Sequence, residues 1–434
     1  MLIIINGRVV DPINNIDGMF NIFVRDGKIA SIEKAKKKDF DGDVIDAKGC
    51  IVSPGFVDIH THLREPGFEY KEDIESGSRA AVAGGFTTIC CMPNTDPVND
   101  NASVTEYILK RAKQVGLAKV VPIGAISRGL KGEGLADVGD MAELGVAAIT
   151  DDGRPVMNAL LMRRAAEYAT TFGLTIMDHC EDLDLSQKGV MNEGAVSTEL
   201  GLQGMPAAAE EAHVARDIAI ARLTGAHFHI THVSTAGSLE LIRNAKREKL
   251  NITCDVTPHH LTLTDEEVMG YGTNTKINPP LRTKRDVEAL VKGFIDGAID
   301  AIATDHAPHG IIDKELGFDT ASFGITGLET ALPVVLKLVH DKKITLKRMV
   351  ELLTCGMNVL GGKGYSAGLK RGAVADITIF DPDEKVVINP TEFYSKGKNT
   401  PFAGWKLKGR VAWTIVNGRP VFDNEKGISS PLGR

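Results

Sequence analysis

From residue 51 onward, short apolar runs alternate with longer stretches whose apolar positions recur every three to four residues. The apolar runs fall at 51–59, 86–92, 119–126, 146–150, 174–178, 227–231, 252–257 and 299–304, and read as buried strands. Between them, 72–83, 101–115, 157–171, 208–224, 236–248 and 284–296 are amphipathic or alanine-rich and read as helices. Eight such units over roughly 310 residues predict an α/β chain folded as a (β/α)8 TIM barrel with insertions. An open doubly wound sheet is the rival, but no Gly-rich phosphate fingerprint follows a first strand.

The two ends of the chain have another rhythm. Turn signals interrupt them every few residues: Asn6-Gly7, Asp11-Pro12, Asp26-Gly27 and Lys48-Gly49 at one end, Asp381-Pro382 after the run Ala375-Asp376-Ile377-Thr378-Ile379-Phe380 at the other. Residues 1–53 and 365–434 are therefore expected to build one small β-sandwich module, with the barrel, 54–364, set between them. Asn6-Gly7-Arg8-Val9-Val10 echoes Asn417-Gly418-Arg419-Pro420-Val421, which predicts a shared hairpin type.

Polar residues gather where the predicted strands stop. Asp58-Ile59-His60-Thr61-His62 closes the first, and histidines two residues apart on a strand share a face. Asn94 follows the second strand, Asp151-Asp152 the fourth, His179 the fifth, His232 the sixth and Asp305 the eighth. Barrel active sites occupy that C-terminal rim. Imidazoles and carboxylates without thiolates suit Zn2+ or a similar divalent ion at a site open to water. His60, His62, His179, His232, Asp152 and Asp305 exceed what one tetrahedral ion uses, and two ions sharing a carboxylate would use them all. Alternation lets only one of Asp151 and Asp152 face inward, and spacing does not choose between them.

Charge and cysteine content change the picture little. A formal net charge of -7 without a long basic run argues against a nucleic-acid partner. Six cysteines without zinc-ribbon spacing, two of them the adjacent Cys90 and Cys91, fit a reducing cytoplasm. No apolar run is long enough to cross a membrane, and Asn6-Gly7-Arg8 arrives too soon for a signal-peptide core. Among the other histidines, His259 and His260 are expected to support or pack, His306 to face away from the metals, and His213 and His340 to be surface or packing residues. His227 and His229 are not singled out as ligands. Cys180 and Cys254 are expected as small buried hydrophobes.

Asp58-Ile59-His60-Thr61-His62-Leu63-Arg64-Glu65-Pro66-Gly67 resembles the opening signature of the dihydroorotases in the amidohydrolase superfamily. Met92-Pro93-Asn94-Thr95, Thr150-Asp151-Asp152-Gly153, His179-Cys180-Glu181-Asp182 and Thr231-His232-Val233-Ser234-Thr235 follow in the family's order. Asn278-Pro279-Pro280-Leu281-Arg282 and Ala303-Thr304-Asp305-His306-Ala307-Pro308-His309 complete the series, which points to the bacterial type I branch. The resemblance implies one zinc on His60, His62 and Asp305, a second on His179 and His232, and Asp152 bridging them. It implies reversible cyclisation of N-carbamoyl-L-aspartate to L-dihydroorotate in de novo pyrimidine (UMP) biosynthesis, with a metal-bridged hydroxide as nucleophile and Asp305 as general acid/base. Arg64, Asn94 and His309 would hold the substrate carboxylate. Asn278 and the backbone of Phe323-Gly324 would meet the ring edge, and His62 would also lie against the substrate.

Hydantoinases, dihydropyrimidinases and allantoinases carry a carboxylated lysine on the fourth strand, whereas Ala147-Ala148-Ile149-Thr150-Asp151-Asp152-Gly153 has none. Inactive scaffold relatives lose ligands, and here all six stand. The resemblance further implies a homodimer and, as in some type I members, a complex with aspartate transcarbamoylase. Residues 310–324 are expected to form a long loop that closes over the site.

Overall fold

The structure is a computed structural model that describes residues 1–34, 42–361 and 368–429. Eight parallel strands run β1 (Phe56–Thr61), β2 (Phe86–Cys91), β3 (Lys119–Pro122), β4 (Ala148–Ile149), β5 (Thr175–Asp178), β6 (Phe228–Ile230), β7 (Ile252–Val256) and β8 (Ala301–Ile302). They form ladders β1-β2-β3 and β4-β5-β6-β7-β8. A bridge between Gly124 and Ile149 joins β3 to β4, and one between Thr61 and His306 joins β8 back to β1. The sheet thus curls into the expected TIM barrel. Its interior is filled by Val57, Ile59, Cys90, Val121, Ala148, Met177 and Ala301, with Met357 of the helix Gly356–Val359 packed among them. On β6 and β7 the inward positions are polar instead: His229 donates to Asp255 at 2.8 Å, both fully buried.

The six anticipated helices form at Ile74–Ala83, Ala102–Val115, Ala159–Phe172, Ala207–Thr224, Ala236–Arg247 and Lys284–Asp296. The run at 51–59 proves to be two strands. Ile51–Pro54 pairs antiparallel with Ile377–Val387 and parallel with Arg8–Asp11, and only Phe56–Thr61 enters the barrel. Gly55 marks the division, because a Cβ there would lie 2.1 Å from Thr87 Oγ1. Helices Ala331–His340 and Leu346–Thr354 are absent from the sequence reading. The first buries every residue from Ala331 to Leu336, so no polar face gives it a period.

Strands from both ends of the chain join through Ile51–Pro54 into one sheet of ten. The hydrogen bonding links all ten strands continuously through the long strand Ile16–Arg25, which pairs with strands on both sides of the module. Its core includes Leu2, Ile4, Ile22, Ile45, Val52, Ile377, Ile379 and Ile415. The boundary placed after residue 53 falls within Ile51–Pro54, and the one between 364 and 365 lies outside the described residues. The two Asn-Gly echoes are not equivalent. Asn417 (φ 52°) and Gly418 (φ 74°) turn a tight hairpin between Lys406–Val416 and Arg419–Asp423. Leu2–Ile5 and Arg8–Asp11, either side of Asn6-Gly7, both pair with Ile16–Arg25 and not with each other.

Candidate metal centre

Buried carboxylates hold the strand ends that carry the site. Asp58 accepts from the backbone N–H of His60 and of Thr304, each at 3.1 Å, tying the end of β1 to the end of β8. Asp255 accepts from the N–H of His232 at 2.8 Å with the oxygen not used by His229. The ladder between β1 and β2 slips between Asp58 and Thr61, within the His-Thr-His motif; such irregularities re-aim side chains. Arg64 (φ 62°), His232 (φ 36°) and Asp305 (φ 48°) adopt the left-handed region, uncommon outside glycine. Strained backbone of this kind concentrates at functional sites.

The six donors converge. His60 Nε2 lies 3.3 Å from Asp152 Oδ1 and 3.6 Å from Asp305 Oδ1. His62 Nε2 lies 3.0 Å from Asp305 Oδ1 and 3.5 Å from Asp152 Oδ2. His179 Nδ1 and His232 Nε2 lie 3.7 and 3.6 Å from Asp152 Oδ1. Asp152 alone touches all four rings' donor atoms. Asp151 turns away, accepting from the N–H of Ile126 at 2.8 Å and of Ser127 at 2.9 Å.

Outer partners fix which ring nitrogen faces the centre. His62 Nδ1 donates to Asn94 Oδ1 at 3.0 Å, leaving the Nε2 lone pair toward Asp305. His179 Nε2 donates to Glu181 at 3.1 Å, leaving Nδ1 toward Asp152. A carboxylate or amide behind a histidine is the usual support of a metal ligand. Meanwhile both ring nitrogens of His60 and Oδ1 of Asp152 are buried without a hydrogen-bond partner. The surroundings also favour positive charge. Burial disfavours a charged His60 ring, yet Asp152 and Asp305 raise its pKa to about 10. Burial likewise pushes the Asp305 carboxyl up, but the His62 hydrogen bond and nearby His60 hold it well below the usual carboxylate range. His60, His62 and Asp305 form one group able to hold an ion, and His60, Asp152 and His232 another. The donor set fits a divalent metal.

Above the donors opens a cavity of about 190 Å3. Arg64, Asn94, Asn278, His309, Phe323 and Gly324 line it, together with His62, Asp152, His179, His232 and Asp305. His60 does not reach it and is fully buried. Arg64 donates through Nε to Pro308 O at 3.3 Å and makes no ion pair with a carboxylate among the described residues. Burial pulls its pKa down, with Asp305 and Asp152 opposing. His309 donates from Nε2 to Phe323 O at 2.8 Å, and its Nδ1 accepts from Lys71 at 3.3 Å. Burial, then the neighbouring Arg64 and Lys71, push its pKa down to about 2, so the ring is neutral.

Other residues fall where their packing sends them. His306 bonds Glu72 at 3.2 Å and accepts from Gly327 N–H, away from the donors as expected. His260 bonds Pro279 O at 3.0 Å, and His259 does not line the cavity. His340 is exposed, but His213 is 3 % exposed and bonds Asp178 at 2.9 Å, so it is no surface residue. It belongs to a buried network with Arg216 and Asp217 on the inner face of Ala207–Thr224. Cys180 and Cys254 are buried. Sequence reasoning assigned no role to Glu181, which also accepts from Asn278 at 2.8 Å, nor to Asp58, Asp255 or Lys71. Glu181 stands two residues beyond His179 in a quoted motif and Asp58 opens another, so both had a signal. Asp255, on β7, had none.

A family model described as Dihydro-orotase-like matches residues 49–238. The dihydroorotase of Syntrophus aciditrophicus (strain SB) is 51% identical over 424 residues, 96% of this chain and 98% of the relative. That of Anaeromyxobacter sp. (strain K) is 52% identical over 429 residues, 98% of this chain and 99% of the relative. Among solved structures, the L-hydantoinase (dihydropyrimidinase) from Arthrobacter aurescens superposes with a TM-score of 0.88 at 25% identity, covering 99% of this chain and 97% of that one. The D-hydantoinase (dihydropyrimidinase) from Thermus sp., at 22% identity and a TM-score of 0.82 over 100% and 98% of the two chains, shares the fold. With half its residues identical to these relatives over nearly its full length, the chain belongs to the dihydroorotase family and is a cyclic amidohydrolase.

Proposed function

We propose that this chain is a zinc-dependent dihydroorotase of the type I branch, which interconverts N-carbamoyl-L-aspartate and L-dihydroorotate in cytoplasmic pyrimidine biosynthesis. The observation that carries the reading is one cavity lined both by five of the six donors, with His60 behind them, and by the half-buried guanidinium of Arg64, which has no carboxylate partner among the described residues. Dihydroorotate is a cyclic imide with an exocyclic carboxylate, so it needs both features at once. His60, His62 and Asp305 would hold one zinc, His179 and His232 a second, with Asp152 between them. When bound, the metals supply Lewis acidity at the ring carbonyl and bring the pKa of a water down to about 7.

The chain's own groups do the rest. Arg64 takes the substrate carboxylate in a two-pronged hydrogen bond. Asn94, whose Oδ1 is taken by His62, offers its amide hydrogens to the same carboxylate. His309 can join them only by releasing Phe323 O. Asn278 and the Phe323-Gly324 backbone bound the ring edge. Asp305, whose Oδ1 faces His62, takes the proton of the attacking water and passes it to the departing ring nitrogen. In the direction of synthesis the same groups run in reverse.

The direct test is ring opening of L-dihydroorotate by the zinc-loaded protein, beside hydantoin, dihydrouracil and allantoin. Turnover of dihydroorotate alone, lost on chelation and restored by zinc, is the expected result. Turnover of another ring instead would overturn the carboxylate pocket. A homodimer, and docking on aspartate transcarbamoylase, belong to the same reading. Silence on all four rings, relieved by adding that enzyme, would make the activity partner-dependent. Among the described residues no helix is long and apolar enough to cross a membrane.

Glu181 tests the metal site independently of turnover. Glu181→Ala removes the acceptor that orients His179 and is expected to lower zinc affinity about 10- to 100-fold, read by competition with a chelator. Unchanged affinity would remove Glu181 from that role.

A further inference from the structure

Among its buried cations the chain holds a lysine that the proposed reaction does not use. Lys314, 6 % exposed, ends the short helix Ile311–Lys314 inside the 310–324 loop. Among the described residues it has no carboxylate partner; its ammonium donates to the carbonyl oxygens of Ser322 at 2.7 Å and Gly324 at 3.1 Å, and lies 3.5 Å from that of Lys276. These carbonyls belong to two segments that both line the cavity, 322–324 through Phe323 and Gly324, and 276–278 through Asn278. The same junction is stitched by Gly324 N–H donating to Lys276 O at 2.9 Å. On the other side, Lys276 donates to Asp319 O at 3.0 Å and stands 4.5 Å from the centre of the Phe323 ring. The backbone of Lys314 is itself fixed, its carbonyl accepting from Thr273 at 2.7 Å. An ammonium in such a place pays desolvation with no countercharge. A residue kept only for packing would be better served by methionine.

We propose that Lys314 is a positioning residue, whose ammonium clips the 311–324 loop to the 276–278 segment and so sets the gap between Asn278 and Phe323-Gly324 that receives the substrate ring. The clip also makes closure sensitive to pH. Burial, then the facing Lys276, draw the Lys314 pKa down to about 7 against the opposing Asp313, whereas the ordinary value of 10.5 applies once the loop opens to water. Closing therefore releases a proton. The charged form is penalised in the closed state, and that penalty is full below about pH 7. It is relieved as pH rises towards 10.5, because the neutral amine still donates to the carbonyls while the open loop stays protonated. Closure is favoured through that window and does not vary with pH below it.

The assignment of Asn278 and Phe323-Gly324 to the ring rests on the proposed function, so the test separates the two. Hydrogen exchange of residues 311–324 is measured without substrate in the metal-loaded protein, corrected for the intrinsic chemical rate, from about pH 6 to about pH 9. In the unaltered protein, protection of the loop is expected to rise above about pH 7. Lys314→Met is expected to lose the pH dependence while its zinc content and melting temperature stay near those of the unaltered protein. With dihydroorotate, Lys314→Met should raise KM about tenfold and change kcat much less, and Lys314→Arg should recover part of the loss. Flat protection in the unaltered protein, or an unchanged KM beside altered protection, would overturn the proposal. Should Lys314→Met fail to fold, the pH series on the unaltered protein decides alone. Should another ring prove to be the substrate, the exchange result still stands and only the KM comparison moves to that ring.

Discussion

Asp305→Asn is expected to abolish turnover while leaving substantial metal bound. Asparagine keeps an oxygen to place beside His62 and His60, which lie 3.0 and 3.6 Å from Asp305 Oδ1. It also tolerates the left-handed backbone at this position, φ 48°, better than other replacements. What it loses is the capacity to accept a proton from the attacking water and return it to the leaving nitrogen. Loss of a positioned acid/base group typically costs about 10^2- to 10^4-fold in rate. The two measurements must be made together: kcat by loss of dihydroorotate absorbance, and metal content by elemental analysis of the same sample. Low kcat with retained metal places the defect in proton transfer. Low kcat with empty sites would make Asp305 a ligand only, and near-normal kcat would end its proposed role.

The barrel was legible because its strands are buried on both faces and its helices on one, so apolar runs and helical periods alternate visibly along the chain. The convergence of the candidate donors was legible because the barrel places strand ends at one rim, and His60, His62, Asp152, His179, His232 and Asp305 all sit at such ends. Its details were not. Alternation could not separate Asp151 from Asp152, since the choice is made by the N–H groups of Ile126 and Ser127, which come from the neighbouring strand's loop and capture Asp151. The left-handed turns at Arg64, His232 and Asp305 are imposed by the surrounding structure on residues with no strong preference for them. His213 lay on a helix whose polar inner face hides its burial, and Ala331–His340 was too uniformly apolar to show a period. Pairing partners were beyond reach as well. Ile51–Pro54 reads as the start of a barrel strand, yet its hydrogen bonds go to residues more than three hundred positions away in Ile377–Val387.

Solved structures that superpose on this chain include hydantoinases, so fold alone does not select the ring, and in the proposed reading Arg64 carries the distinction. A half-buried guanidinium that lines a cavity with no carboxylate partner among the described residues is poorly compensated unless an anion enters to meet it. Dihydroorotate brings a carboxylate; hydantoin and dihydrouracil bring none. Arg64→Lys keeps the charge but replaces a planar fork, oriented by its Nε bond to Pro308 O, with a mobile point charge. It is expected to raise KM for dihydroorotate about 10- to 100-fold, with kcat less affected because the metal donors and Asp305 are untouched. Arg64→Met, which removes the charge as well, should raise it further. If Arg64 served only to brace the loop through Pro308, both variants would lower stability without a selective effect on KM, and binding of a carboxylate-free ring would suffer equally. An unchanged KM in Arg64→Lys would refute the clamp, and with it the feature that separates this cavity from one built for an uncharged ring.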